Sequence, residues 1–460
     1  MKILLVKPYN ISDHIQPSLG LGYVASAVRD DNDVRIIDCI KERLDILGLE
    51  RIIKETNPDV VGLQCYTFDI KFVSEAIKMI KHINKAIVTV IGGPHCSAVP
   101  KESMDYFGEA LDYAFVGEAE IGFKKLIDCL KDGKEDFSEI HGLVYRQGSN
   151  IKINPSYFEE DLDSFRMVAW DLIRPNEYPE SQHGAFYKKF PIAPIISTRG
   201  CPYNCTFCAG KIVSGRKLRK RSIKNIIDEI VYLYDKFGIR EFHIIDDNFT
   251  LDKQFVLSFL EELERKHLDI SWALPNGIRM ENLSLDLLKK MKHAGLYLVS
   301  LGIESGTDRV LKLMRKNLTV ETTRKTVKLI REAGLEVAGF FIIGTDGETI
   351  DEMKETIRFS LELDLIRANY FTYLPFPGTE SYNNLKNNGK ISNVNWDRFY
   401  FNKAPYSPDG ITHKQLRQLQ RKAFLQFHLR PIILLKNLSQ VQSFKHFKFL
   451  LSRFNNWIIK

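Results

Sequence analysis

The 460-residue sequence predicts an α/β protein made of two strand–helix units in series, followed by a basic helical tail. Two observations carry that prediction. Short apolar runs rich in Val and Ile alternate with helical stretches twice along the chain, over residues 1–134 and again over 191–400. Residues 401–460 then carry eleven Lys/Arg against one acidic residue, Asp409, so that residues 1–400 are left with a net charge of about −3.

In the first unit MKILLVKP, VRIIDC, DVVGLQCYT, IVTVIGG and LDYAFVGE read as strands, with helices such as Val73–Asn84 and Gly122–Lys131 between them. Continuous apolar strands separated by helices indicate a parallel sheet covered on both faces. Residues 1–134 are therefore expected to form a doubly wound, Rossmann-like domain whose ligand sits outside the carboxyl ends of its strands. The segment lacks G-x-G-x-x-G after the first strand and has no phosphate-binding P-loop, so a dinucleotide fingerprint is absent. Residues 135–190 read as a linker containing a hairpin, GLVYRQGSNIKINP, with a Gly-Ser-Asn turn.

From Ile192 the alternation resumes. APIIST, EFHIID, ISWALPNG, LYLVSLGIE, VAGFFIIG and ANYFTYLP read as strands. Helices are expected at Ile223–Phe237, Lys253–Lys266, Leu285–Ala294, Val320–Ala333 and Ile350–Leu363. Ser222 and Thr319 suit N-caps, and Gly238 and Gly334 suit helix ends. Six strand–helix units make residues 191–400 a partial (β/α)6 barrel of TIM type, with chemistry at the carboxyl ends of its strands. In the tail, residues 401–460, Phe447, Leu451, Phe454 and Ile458 recur at helical spacing beside Lys445, Lys448 and Arg453. This stripe has two readings: packing on the barrel so as to close its substrate mouth, or peripheral contact with an anionic membrane.

Composition narrows the classes. Hydrophobic residues make up 44% of the chain, which excludes bulk disorder. MKILLVKPYN is not a secretory leader, and no apolar run approaches the roughly 18 residues of a membrane span, so a cytoplasmic location is expected. Seven cysteines, an odd and scattered set, argue against a disulfide framework. Since the positive charge belongs to the tail, nucleic acid is not an expected partner.

Three of those cysteines stand together. STRGCPYNCTFCAG places Cys201, Cys205 and Cys208 at C-x3-C-x2-C spacing, on the loop after the first barrel strand. Three thiolates on one loop can hold an iron–sulfur cubane, leaving one iron open for a substrate to chelate. The alternative, a structural zinc knuckle, needs a fourth ligand, and His183 and His243 are distant in sequence.

With the aromatic Phe207 before its last cysteine, the motif resembles the radical S-adenosylmethionine (SAM) superfamily, and Pro191–Pro377 resembles that superfamily's partial barrel. The resemblance implies a [4Fe–4S] cluster on the three cysteines, SAM chelating the open iron, a 5′-deoxyadenosyl radical, and an external electron donor of flavodoxin or ferredoxin type. It places Gly302 and Glu304 of SLGIESGTD against the ribose or methionine of SAM, although Glu304 could instead cap the next helix. Asp246 and Asp247, with Asn248, would line the cavity mouth or else cap the turn before Leu251. Arg279 of NGIRM would pair with the methionine carboxylate or form a structural ion pair. GTDGET would lie near the adenine or be only a glycine turn.

The N-terminal unit resembles the cobalamin-binding domain of one large radical SAM class. The matching segments are PSLGLGYVASAV with Leu19 and Gly20, LQCYT with Thr67, GGPHCS with Gly92 and Gly93, and VGEAE with Gly117 and Glu118. The Asp-x-His-x-x-Gly pattern of a cobalt-ligating histidine is missing, since Asp13-His14 does not complete it. His95 reads as a turn histidine bonded to backbone. The whole resemblance implies a cobalamin-dependent methyltransferase acting on an unactivated carbon of a small molecule, through methylcobalamin and the deoxyadenosyl radical, and a surface-binding tail would fit a lipophilic substrate. Three alternatives stand beside it. They are a cyclase or rearrangement enzyme of the same fold, a tRNA methylthiotransferase, for which Cys39, Cys65, Cys96 and Cys129 do not supply a further cluster set, and a non-enzymatic cobalamin or iron–sulfur sensor.

Overall fold

The computed structural model describes all residues except 11–14, 181–185, 392–395, 397–398, 400–402, 404 and 460, and no side chain beyond residue 452. Asp13, His14 and His183 lie outside the described residues, as do the side chains of Arg453, Phe454 and Ile458.

Strands β1 (Lys2–Lys7), β2 (Asp33–Asp38), β3 (Val60–Gln64), β4 (Val88–Gly92) and β5 (Tyr113–Phe115) form a parallel sheet in the order β2-β1-β3-β4-β5. Their runs are buried because helices cover both faces. Helix Ile70–Ile83, for example, buries Val73, Ala76, Ile77 and Ile80 on one stripe. The chain leaves β1 toward β2 on one side and β3 on the other, so the switch point of the sheet lies between β1 and β3. The hairpin read as part of the linker, β6 (Leu143–Gln147) and β7 (Asn150–Ile153), joins this sheet, β6 running antiparallel to β5. It covers an edge that the three-residue β5 would leave open.

The second unit begins with β8 (Ile192–Ile195). A small antiparallel pair follows, β9 (Thr198–Arg199) with β10 (Arg219–Lys220), and then β11 (Glu241–Ile244), β12 (Ser271–Ile278), β13 (Leu296–Glu304), β14 (Glu336–Ile343) and β15 (Arg367–Thr372). All six barrel strands are parallel, in the order β15-β14-β13-β12-β11-β8, and β8 and β15 do not pair, so the barrel stays open. The expected caps form. Ser222 Oγ accepts from Asn225 N, Thr319 Oγ1 from Thr322 N, and Gly238 and Gly334 take the left-handed backbone after their helices.

The open edge at β15 is covered by helix His413–His428. Gln420 Nε2 donates to Tyr370 O at 2.8 Å, and the His428 ring lies 3.0 Å from Ala368 O, so side chains of this helix reach two carbonyls of the edge strand. Leu416 lies against Gly344, just past the carboxyl end of β14, while His428 meets Ala368 near the start of β15. The helix thus carries the chain to the amino-terminal end of the barrel. There Gln440 bonds Glu336, the first residue of β14, and His446 packs on Phe186 and Tyr187. The part of the tail that follows this helix packs on the barrel, but at the end opposite the strand C-termini, whereas Tyr406 near its start packs beside Tyr373, just past β15. The expectation that the apolar stripe closes the mouth is corrected by the length of this edge-covering helix.

Candidate active site

Between the two units lies a cavity of about 550 Å³, the size of a cofactor or small-molecule site. The N-terminal sheet contributes Leu5, Lys7, Gln64 and Gly92 at or near the carboxyl ends of β1, β3 and β4. The barrel contributes Thr198, Arg199, Ser214, Asp246 and Asp247. Of the residues expected to bind a cofactor, Leu19, Gly20, Gly92, Gly93, Gly117, Glu118, Asp246 and Asp247 all line it. A Cβ built on Gly20 or Gly92 meets nothing within 4 Å, so both glycines leave backbone open to a flat ligand. Gln16 Oε1, buried on the cavity wall, has no hydrogen-bond partner. A ligand rimmed with amides, as cobalamin is, would supply one. Thr67 stands behind the wall and bonds the ring of His95 at 3.1 Å. Burial lowers the His95 pKa to about 4, so its ring is neutral and holds a side chain rather than the backbone expected of it.

The segments on either side of the cluster loop, Thr198–Arg199 and Val213–Ser214, form part of the far wall of this cavity. Gly200 has φ +90°, and a Cβ there would come within 2.2 Å of Lys217 O, so only glycine fits the turn into Cys201. Thr206 N donates to Met314 O at 3.1 Å, and Ser381 N donates to Thr206 O, pinning the loop from two sides. Asp246 accepts from Ser197 N at 2.7 Å, Ser197 Oγ at 2.5 Å and Thr198 Oγ1 at 2.8 Å. Burial pushes its carboxyl up to about 6 against those bonds. Asp247 is bonded by Ser214 and by the Gly200 backbone. Neither aspartate caps the helix that follows. That cap is Asp252, which accepts from Phe255 N.

Among the described residues no three His, Cys, Asp or Glu side chains converge as they would on a single metal ion. Zinc ligands converge so, each about 2.0–2.3 Å from one ion. The cysteines of a cubane each serve a different iron and stay apart. An all-thiol donor set on one pinned loop fits the cluster better than the zinc knuckle.

Beyond Cys205 lies a second group of predicted residues. Arg279 Nη1 lies 3.7 Å from Cys205 Sγ, its guanidinium stacks on Tyr203 at 3.6 Å, and its remaining donors engage Glu281 and Lys316 O. Glu304 ends β13 with φ +64°, a strained conformation for a residue with a side chain. Its Oε1 accepts from Lys316 Nζ at 2.7 Å, with both side chains buried. Burial alone would lower the Lys316 pKa, but Glu304 holds it above the ordinary lysine value. Gly302 makes the pair possible, since a Cβ there would lie 2.6 Å from Glu304 Oε1 and 2.8 Å from Lys316 Nζ. Glu304 does not cap the next helix; Thr307 does. Phe207 faces the same ammonium at 6.0 Å and packs with Tyr373, Leu385 and Tyr406.

Sequence reasoning missed Lys316, Arg199, Arg219 and Glu120. Arg219 grips Glu118 with both nitrogens at 2.7 and 2.8 Å. Arg199, stacked between Tyr23 and Phe165, pairs with Glu118 at 3.1 Å and Glu120 at 2.8 Å. This buried network ties VGEAE of the first unit to the segment leading into Cys201. Arg199 alone carried a local signal, two residues before the first cysteine.

A doubly wound sheet whose cavity is shared with the residues flanking a three-cysteine loop of a partial barrel defines a radical SAM enzyme with a corrinoid domain. The family model of the radical SAM superfamily matches residues 195–360, and that of the B12 binding domain matches residues 12–127. An uncharacterised methyltransferase of Pyrococcus horikoshii is 32% identical over 98% of this chain and 97% of its own length. The cytidylyl-2-hydroxyethylphosphonate methyltransferase of Streptomyces wedmorensis is 30% identical over 82% and 80%. The anaerobic magnesium-protoporphyrin IX monomethyl ester cyclase of Rubrivivax gelatinosus is 25% identical over 93% and 79%. Among solved structures, the cobalamin-dependent SAM radical enzyme OxsB, with aqua-cobalamin and SAM bound, shares the fold at a TM-score of 0.77. It is 18% identical, over 99% of this chain and 70% of that one. The chain belongs to the cobalamin-binding radical SAM enzymes.

Proposed function

We propose that this enzyme transfers a methyl group to an unactivated carbon of a small, lipophilic molecule. The observation that carries the proposal is the shared wall: Thr198, Arg199 and Ser214, which flank the cluster loop, also line the corrinoid cavity. One substrate between them meets both cofactors, as proximity requires. When bound, the cluster with SAM supplies hydrogen abstraction and the corrinoid supplies the methyl group.

The protein's own residues position and insulate. Cys201, Cys205 and Cys208 would hold the cluster, with the Arg279 guanidinium beside Cys205 offsetting thiolate charge. Glu304 and Lys316 present a buried, fixed ion pair at the end of β13, where the ribose and methionine of SAM would lie. Leu19, Gly20, Gly92, Gly93, Gly117 and Glu118 would surround the corrin, and the Glu118 network keeps it in register with the cluster. Electrons would come from a flavodoxin- or ferredoxin-type donor.

The cyclase relative favours a second reading, in which the same site closes a ring without methyl transfer. Reduced, cobalamin-loaded enzyme given SAM with an isotopically labelled methyl group separates the two. Methyl transfer predicts S-adenosylhomocysteine and label in the corrinoid fraction. Deoxyadenosine with an unlabelled corrinoid would overturn it in favour of the cyclase.

A further inference from the structure

Among the described residues, eight of the fifteen large hydrophobic side chains that stand exposed fall within one short stretch of chain, Leu429–Leu451. In helix Pro431–Ser439, Ile432, Leu435 and Leu438 follow one another along one side, 61%, 68% and 57% exposed. In helix Phe444–Ile459, Phe444, Phe447 and Leu451 recur at the same kind of spacing, with Phe444 71% exposed. A monomer rarely leaves such a run of apolar surface without a use for it.

The segment is not a loose end that could fold inward. Its other side is already engaged: Ile433 is buried, His446 packs on Tyr187 at 5.0 Å, and Ser443 bonds Glu180 at 2.7 Å. These contacts hold the apolar stripe outward. The charge around it has one sign. From Gly410 to Lys460 the sequence contains no Asp or Glu. Lys445 and Lys448 stand exposed beside the stripe, Lys448 over the Phe444 ring at 4.9 Å, and Arg421 and Lys422 stand exposed on the preceding helix. Among the described residues no helix is long and apolar enough to cross a membrane, so any lipid contact is made along the surface.

We propose that helices Pro431–Ser439 and Phe444–Ile459 form a peripheral docking face for an anionic lipid bilayer. Leu435, Leu438, Phe444 and Phe447 enter the headgroup–acyl boundary, and Lys445 and Lys448 pair with lipid phosphates. Apolar burial and attraction between basic residues and anionic lipid are the two terms that hold an interfacial helix. A second copy of the chain fits this face less well, because a two-fold contact would set its cations against one another. The face lies at the amino-terminal end of the barrel, away from the cofactor cavity, so docking anchors the enzyme while the mouth stays open. The proposal goes beyond the chemistry above and does not depend on it.

The full-length protein should co-sediment with phosphatidylglycerol-containing vesicles and only weakly with pure phosphatidylcholine, and salt should release it. A Leu435→Asp/Leu438→Asp variant should bind at least about tenfold more weakly. Lys445→Gln/Lys448→Gln should remove the preference for anionic lipid. All these side chains are exposed, so thermal unfolding should match the parent. The proposal is overturned if the parent ignores both vesicles, if the Leu variant binds as the parent does, or if sedimentation shows a parent dimer that the Leu variant dissociates.

Discussion

Glu304 and Lys316 show how one residue's conformation serves a site. The positive φ at Glu304 turns its carboxylate back beside Gly302, and only the absent Cβ of that glycine leaves room for the ammonium. Lys316→Ala would leave the Glu304 carboxylate buried without its partner. We expect a loss of about 3–5 kcal/mol of stability by denaturant unfolding, with SAM binding weakened in parallel by calorimetry. Glu348 makes a second prediction. Its Oε2 accepts from Gly344 N and Thr345 N, Oε1 has no partner, and burial raises its pKa to about 8. Between the ordinary carboxyl range and pH 8 the folded state keeps a proton that the unfolded chain has released, so stability falls as pH rises through that window. Glu348→Gln should therefore unfold like the parent near pH 5 and at a higher temperature near pH 8. A parallel pH dependence in the two proteins would count against the assignment.

At the scale of elements, legibility followed the range of the interaction. Strand and helix identities were readable because burial writes a local pattern, and Ser222 and Thr319 cap where a short polar side chain before an apolar stripe must. The cysteine loop was readable because all three sulfurs lie within eight residues of chain. Lys316 was not, because its reason for burial is Glu304, twelve residues earlier on another element. The hairpin β6–β7 was seen as a hairpin but not as part of the sheet, since pairing with β5 leaves no mark on its own turn. The Arg199–Arg219–Glu118–Glu120 network was equally silent, its partners lying up to 101 residues apart. Arg219→Ala should cost about 3 kcal/mol by removing the bidentate partner of a buried carboxylate. Limited proteolysis between residues 155 and 190 should quicken, as the two units lose a bidentate tie. Unchanged proteolysis would mean that the network adds stability without setting the register.

For the whole molecule, the two units are arranged so that the carboxyl ends of one parallel sheet and the segments flanking the cysteine loop of a partial barrel line one cavity. A corrinoid and a radical-generating cluster would then sit side by side, and the basic helices after Leu429 are kept at the far end of the barrel. The measurement that tests this most directly compares the parent protein with Cys201→Ala. Both would be reconstituted anaerobically with iron, sulfide and cobalamin, and then reduced in the presence of SAM. The account predicts about four irons per parent chain, with 5′-deoxyadenosine formed by the parent alone and a visible corrinoid spectrum retained by both proteins. Equal iron in the two proteins, with no deoxyadenosine from the parent, would contradict it.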